Sequence, residues 1–293
     1  MSPETVFILC RWAFFGAAIY LWGANAYLAA CVRGPLLPVL ELPLRRGNRI
    51  ALVTVFTATV LLLPVRTALI ADGWTDAVSP TVIKDVLFST SIGQAWLAQS
   101  ACLIALCLAS RARRHALPLI VMASGALLAT SSMTGHATMN DGWRDVVHRI
   151  NDCLHILSGG AWAGALVPVL LTLSHASHAD SIPEREKALI RFSRYGHVTV
   201  LLVLLTGVIN SSLILQGTSL DPNSEYLRLL AIKILIVSIM VLVAVFNRYV
   251  VVPRIGLSRE RAYAHLRMMT LVECILASLV LGLVAWFGTL DPS

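Results

Sequence analysis

The stretch Ile234-Leu235-Ile236-Val237-Ser238-Ile239-Met240-Val241-Leu242-Val243-Ala244-Val245-Phe246 carries no charge and lies within an apolar segment from residue 226 to 251. A hydrocarbon core of about 30 Å is crossed by about 20 mostly apolar residues wound as an α-helix, so this segment is long enough to span a bilayer. Segments of the same kind recur near 5–32, 47–71, 90–110, 116–139, 150–173, 195–216 and 267–289. With 57% of 293 residues hydrophobic and 13% charged, little polar sequence remains to clothe a soluble fold. The expected architecture is all-α: a single integral membrane domain over 1–293, built as a bundle of eight transmembrane helices with the lipid bilayer as its solvent.

The basic residues fall into alternate gaps between these segments. Arg33, Arg45, Arg46 and Arg49 follow the first, and Arg111, Arg113 and Arg114 the third. Arg185, Lys187, Arg191 and Arg194 follow the fifth, and Arg248, Arg254, Arg259, Arg261 and Arg267 the seventh. The remaining gaps hold only Lys84, Arg144, Arg149 and Arg228. Positively charged loops stay cytoplasmic, which puts both termini on the periplasmic side. The net charge of +7 is thereby a topology signal, and no nucleic-acid partner is read from it. Leu28-Ala29-Ala30-Cys31 resembles a lipoprotein cleavage site, but Glu4 stands where a leader would carry a positive charge, so the first helix is expected to be retained. The six cysteines form no CxxC pair, so they indicate neither a disulfide framework nor a zinc site. No ATP-binding loop or soluble catalytic domain is visible, and the chain is not expected to be an enzyme.

Ionisable and polar residues inside membrane helices are costly, so where they occur is the most informative chemistry in the chain. The fourth span ends in Met133-Thr134-Gly135-His136-Ala137-Thr138-Met139, placing a histidine between two methionines three residues away on either side. If the helix continues that far, the three share a face, and imidazole with thioether suits copper better than calcium or magnesium. The next span opens with His148, Asp152 and His155 at i, i+4 and i+7, one face descending from the interface into the membrane. Adjacent spans joined by a short gap are expected to pack antiparallel, bringing His155 toward Met133, His136 and Met139. The candidate metal ligands are therefore His136, His155, Met133 and Met139, with His148 as a weaker member exposed to water. Asp152, Asn210, Lys233 and Glu273 are candidates for a polar pathway; Glu273 also qualifies as a buried partner for an arginine or lysine. His197, His175, His178 and His265 sit in or near the basic gaps, where a departing ion would emerge.

The order of several short segments resembles the copper resistance protein D (CopD) family of bacterial inner-membrane proteins. They are Arg191-Phe192-Ser193, Thr206-Gly207-Val208-Ile209-Asn210, Tyr226 through Leu230 to Lys233, and Asn247-Arg248 followed by Pro253-Arg254. His155-Ile156-Leu157-Ser158-Gly159-Gly160-Ala161-Trp162-Ala163-Gly164 and Gly135-His136 fit the preceding spans. The resemblance runs along most of the chain and is clearest over 191–290. It implies copper handling at the inner membrane, as uptake from periplasm toward cytoplasm, with a CopC-type periplasmic copper-binding protein as a separate partner. The expected ligand is a copper ion in either oxidation state, and a homo-oligomer is compatible with the sequence. Trp162 and Gly164 are read as packing residues. Two rival readings stand beside transport: a haem b membrane cytochrome for electron transfer or metal reduction, with His136 and His155 bracketing the haem, and a non-transporting docking or assembly factor for a copper protein.

Overall fold

The computed structural model describes residues 1–71, 73–112, 116–134, 143–174, 182–216, 224–256 and 258–290. Among them the helices are α1 (Pro3–Cys31), α2 (Leu36–Ile70), α3 (Pro80–Ser89), α4 (Ser91–Arg111), α5 (Ala116–Ala129), α6 (Trp143–Ser174), α7 (Ile182–Ile214), α8 (Glu225–Phe246) and α9 (Arg259–Phe287). A 3₁₀ turn at Thr130–Met133 extends α5, and α8 runs on through a π-helical turn at Asn247–Val251 into a 3₁₀ turn at Val252–Gly256. Eight of these elements are long and apolar enough to cross a membrane, as expected. Large apolar side chains such as Ile104, Met122, Val208, Leu242 and Ile275 point outward, where lipid covers them.

Several helices start well before the apolar segment does: α2 at Leu36 rather than 47, α7 at Ile182 rather than 195, α9 at Arg259 rather than 267. The α7 and α9 extensions are polar and that of α2 is amphipathic, with Leu36, Leu40 and Leu44 buried and charged residues interrupting the apolar run; pairs such as Glu41–Arg45 at 3.6 Å and Glu184–Lys187 at 2.7 Å lie along them. Hydropathy registers the part of a helix that meets lipid, not the turns that project into water. The short helix α3 was not expected either. It begins on Pro80 and lies with the backbone of Val86 and Leu87 against Gly93 of α4, where a side chain would not fit.

The first helix is the hub. It packs against α2, α5, α6, α7 and α9. Trp22 donates to the Leu157 carbonyl of α6 at 2.9 Å, and Tyr27 meets Thr172 of α6 at 3.0 Å. Asn48 of α2 donates to Asn25 at 3.2 Å, Arg191 of α7 reaches the Cys31 carbonyl at 2.8 Å, and Arg11 reaches Gly288 beyond α9 at 2.9 Å. The closest approach is between α1 and α6. A Cβ on Gly23 would come within 2.6 Å of the Gly164 Cα, and a Cβ on Gly164 within 2.9 Å of the Gly23 Cα. Gly160 lies four residues before Gly164 on the same face of α6 and receives the indole of Trp22, 3.0 Å from where its Cβ would be. Helices in lipid associate through such small-residue seams because no water is released by bringing them together.

Replacing Gly164 with Val is expected to cost about 3 kcal/mol or more, since the obstruction is backbone rather than a movable side chain. Gly16→Ala, where nothing lies within 4 Å of the new Cβ, should leave stability within about 0.5 kcal/mol. Thermal unfolding of the detergent-solubilised protein, followed by loss of the monodisperse peak, distinguishes the two.

Candidate functional site

The half of α6 nearer the chain termini carries Asn151, Asp152 and His155, and it packs along α7. Two i, i+4 pairs face one another there: Asn151 and His155 on α6, Thr206 and Asn210 on α7. Asn151 donates to the Thr206 carbonyl at 2.9 Å and to the Asn210 side-chain oxygen at 2.6 Å. Asn210 in turn donates to Asp152 Oδ1 at 3.0 Å. Asn151, Thr206 and Asn210 are buried, so this ladder runs inside the bundle. Each amide supplies the donor its neighbour lacks, which is how a membrane interior tolerates polar groups.

His155 sits one turn further along. Its Nδ1 lies 3.0 Å from the Thr206 hydroxyl, which itself donates to the Leu202 carbonyl. The hydroxyl proton being committed to Leu202, the Thr206 oxygen accepts from Nδ1–H, and Nε2 keeps its lone pair. The side-chain hydrogen bond described for the ring is made through Nδ1, and the Val203 carbonyl also accepts from the ring. Gly207 makes room for the ring, since a Cβ there would stand 3.3 Å from His155 Cε1. An imidazole oriented through one nitrogen and open at the other is the usual state of a metal-ligating histidine.

Lys233 of α8 supplies the charge opposite. Its ammonium interacts electrostatically with the Asp152 carboxylate and with His155, and lies 5.6 Å from the centroid of the Phe287 ring. The site therefore draws on α6, α7 and α8, with α9 contributing an aromatic floor.

The remaining candidates are distributed differently. His136 and Met139 lie outside the described residues. Met133 is described, but the α-helix expected to continue through 139 stops at Ala129 and gives way to a 3₁₀ turn, with Thr134 extended. Thr130 and Ser132 donate back to the Leu127 and Ala129 carbonyls at 2.6 and 2.8 Å, which favours the tighter turn over continued α-helix. That turn still packs on α6, so Met133 stays on the side of the bundle that holds His155. His148, expected to be exposed to water, is 1% exposed. It is drawn inside because α6 starts at Trp143, before the apolar segment, with Arg149 and Asp145 paired at 2.8 Å on its polar side. Glu273 belongs to another region: it is buried on α9 and faces a cavity toward the Arg-rich end. Among the described residues it forms no ion pair, and Arg11, a potential partner, is engaged by Gly288 instead. No three His, Cys, Asp or Glu side chains among the described residues are grouped so as to hold a metal ion. Thr206, Gly207 and Asn151 emerge as functional neighbours that reading for ligands alone passes over; their signal was the matching i, i+4 spacing on two spans.

Comparison with known proteins places this site in context. A family model described as the N-terminal domain of copper resistance protein D-like proteins matches residues 1–146, and one described as copper resistance protein D matches 186–287. The inner membrane protein YebZ of Escherichia coli K12 is 34% identical over 95% of this chain and 93% of its own. Copper resistance protein D of Pseudomonas syringae pv. tomato is 34% identical over 76% of this chain and 75% of its own. The copper transport protein CutJ of Bacillus subtilis is 28% identical over 60% of this chain and 34% of its own. Among solved structures, a chain of the bd oxidase from Geobacillus thermodenitrificans superposes with a TM-score of 0.60, covering 99% of this chain and 87% of that one. At 10% identity, that likeness concerns the fold alone.

Asn210→Leu removes the group that serves both Asn151 and Asp152. The variant is expected to be less stable by about 2 kcal/mol, the usual cost of a buried polar group left without its partner. Thermal unfolding in detergent checks it, with Asn210→Gln recovering part of the loss.

Proposed function

This chain belongs to the copper resistance protein D family, and on that premise we propose that it carries copper across the bacterial inner membrane, from periplasm toward cytoplasm. The bundle end that holds both termini faces the periplasm in this reading, because the Arg-rich gaps lie at the other end. Copper arrives from a separate CopC-type periplasmic protein. It is taken by His155 through Nε2, with His136 and one of Met133 or Met139 completing the set and His148 nearby. The ion is cargo, moved by exchange of ligands, and no covalent bond of a substrate is broken.

The observation that carries this reading is the state of His155. With the Thr206 hydroxyl donating to Leu202 and its oxygen 3.0 Å from Nδ1, the reading takes Nδ1 as the protonated nitrogen and Nε2 as the ligand inside the membrane. Asp152 offsets the positive charge that a copper ion brings, and Lys233 is positioned to be displaced from it by that ion. An imidazole accepts either oxidation state, whereas thioethers favour Cu(I).

The expected result for purified wild-type protein is stoichiometric copper by metal analysis without a Soret band in the ultraviolet-visible spectrum. His155→Ala should lose that copper, and Thr206→Val should weaken it by about 10- to 100-fold, the usual cost of removing a group that orients a ligand. A Soret band would overturn the reading in favour of a haem protein. Copper bound normally but never accumulated by proteoliposomes would overturn transport in favour of a docking role.

A further inference from the structure

Successive helices of the bundle mostly pack along one another, whereas among the described residues α7 packs chiefly on α6 and α8 chiefly on α9, the two meeting near their ends through Ile214 and through His197 with Tyr249. Between the two pairs is a cavity of about 690 Å³ in the half toward the Arg-rich end. Its lining includes aliphatic residues such as Leu166, Leu201 and Leu204 together with Ser193 and His197 of α7, Asn247, Arg248 and Tyr249 of the α8 extension, and Thr270 and Glu273 of α9. His197 Nε2 lies 3.2 Å from the Tyr249 hydroxyl near the mouth.

Two groups in this cavity lack partners. Glu273 is 4% exposed, yet none of the described hydrogen bonds or ion pairs includes its carboxyl, which borders the cavity. It is the central residue of α9, about 21 Å from either helix end at 1.5 Å per residue. Asn247 Oδ1 is buried with no hydrogen-bond partner, and it opens the π-helical turn of the wall. Such turns within α-helices recur at functional sites. A buried carboxyl bordering the cavity without a partner calls for a ligand that is positive or donates hydrogen bonds, with the unpaired Asn247 side-chain carbonyl in the wall beside it.

We infer that this cavity is a vestibule open to water at the Arg-rich face, and that Glu273 at its inner end takes a small cation, proton or copper, exchanging with that face. The other titratable groups facing it are Glu186 and His197 from α7, Arg248 and Tyr249 from the α8 extension, and Arg259 from α9; α6 contributes Trp162 and aliphatic residues. Arg259 is paired with Glu186 at 2.7 Å. With Glu273 ionised, Glu186 and Glu273 offset Arg248 and Arg259 among the lining residues, so in that state the vestibule presents no net positive barrier to a cation. The role as an exit for cargo rests on the copper reading above; access from one face does not.

The test uses full-length protein with its native cysteines replaced, reconstituted in vesicles of known orientation and carrying Glu273→Cys. A membrane-impermeant methanethiosulfonate should modify this position from the Arg-rich face and not from the other, while Ile275→Cys, which faces lipid, stays unmodified. No modification of Glu273→Cys while Arg259→Cys at the mouth reacts, as when a lipid chain fills the cavity, overturns the proposal; so does equal reaction from both faces. On the otherwise native protein, dicyclohexylcarbodiimide should label Glu273. Labelling that falls as pH rises identifies the cation as a proton, and labelling blocked by copper loading identifies copper. Labelling that responds to neither overturns the cation site. In proteoliposomes Glu273→Gln should lower copper uptake at least ten-fold with copper bound at His155 retained, and Glu273→Asp should recover part of it. Failure of uptake in the wild type as well would count against transport and leave the access result standing.

Discussion

In lipid there is no gain from hiding apolar surface against another helix, so α1 and α6 are held by contact at short range. Gly23 and Gly164 bring the two backbones together, Gly160 admits the Trp22 ring, and the Trp22 indole closes a hydrogen bond onto Leu157. Because α6 is clamped along one side, its opposite side is fixed in rotation. That side carries Asn151 and His155 toward α7. A helix free to turn by one residue would swing His155 about 100° away from Thr206. The small residues of the seam thus determine where the imidazole points, although they lie on the far side of the helix from it.

Much of this arrangement was legible in the chain. The number and position of the spans followed from length and hydropathy, and the family followed from segments such as Thr206 to Asn210. His155 and Asp152 were singled out by their spacing on α6. What hydropathy missed were the helix starts beyond the continuous apolar runs, because charged residues interleaved there lower the mean hydropathy even where, as at Leu36, Leu40 and Leu44, one face is buried. The end of α5 was misjudged for another reason: Thr130 and Ser132 compete for backbone carbonyls and convert the last turn to 3₁₀. Burial of His148 was not legible, since it depends on where α6 begins. The pairing of Asn151 with Asn210, and the sparse packing of α7 on α8, are relations between helices that no single segment records.

The polar groups of the membrane interior divide between two regions with different chemistry. Around His155 they are paired amide to amide and hydroxyl to carbonyl, with Lys233 set against Asp152. Around Glu273 the described acceptors stand open, and the partners that do exist, His197 with Tyr249 and Arg259 with Glu186, gather near the mouth. A paired region holds its geometry before a ligand arrives, whereas an open one is shaped for what enters it. Between them lie Val203, buried on α7, and Gly159 of α6, whose Cβ position is 3.9 Å from a Val203 methyl.

The gap between α7 and α8 gives the bilayer a structural part in the protein. The two helices meet near their ends, through Ile214 and through His197 with Tyr249, and between those points hydrocarbon chains of the bilayer would complete the wall of the cavity beside Glu273. Its cross-section then follows the lateral pressure and thickness of the surrounding leaflet as well as the sequence. Two cells making the same chain in membranes of different acyl composition would, in this respect, hold differently shaped proteins.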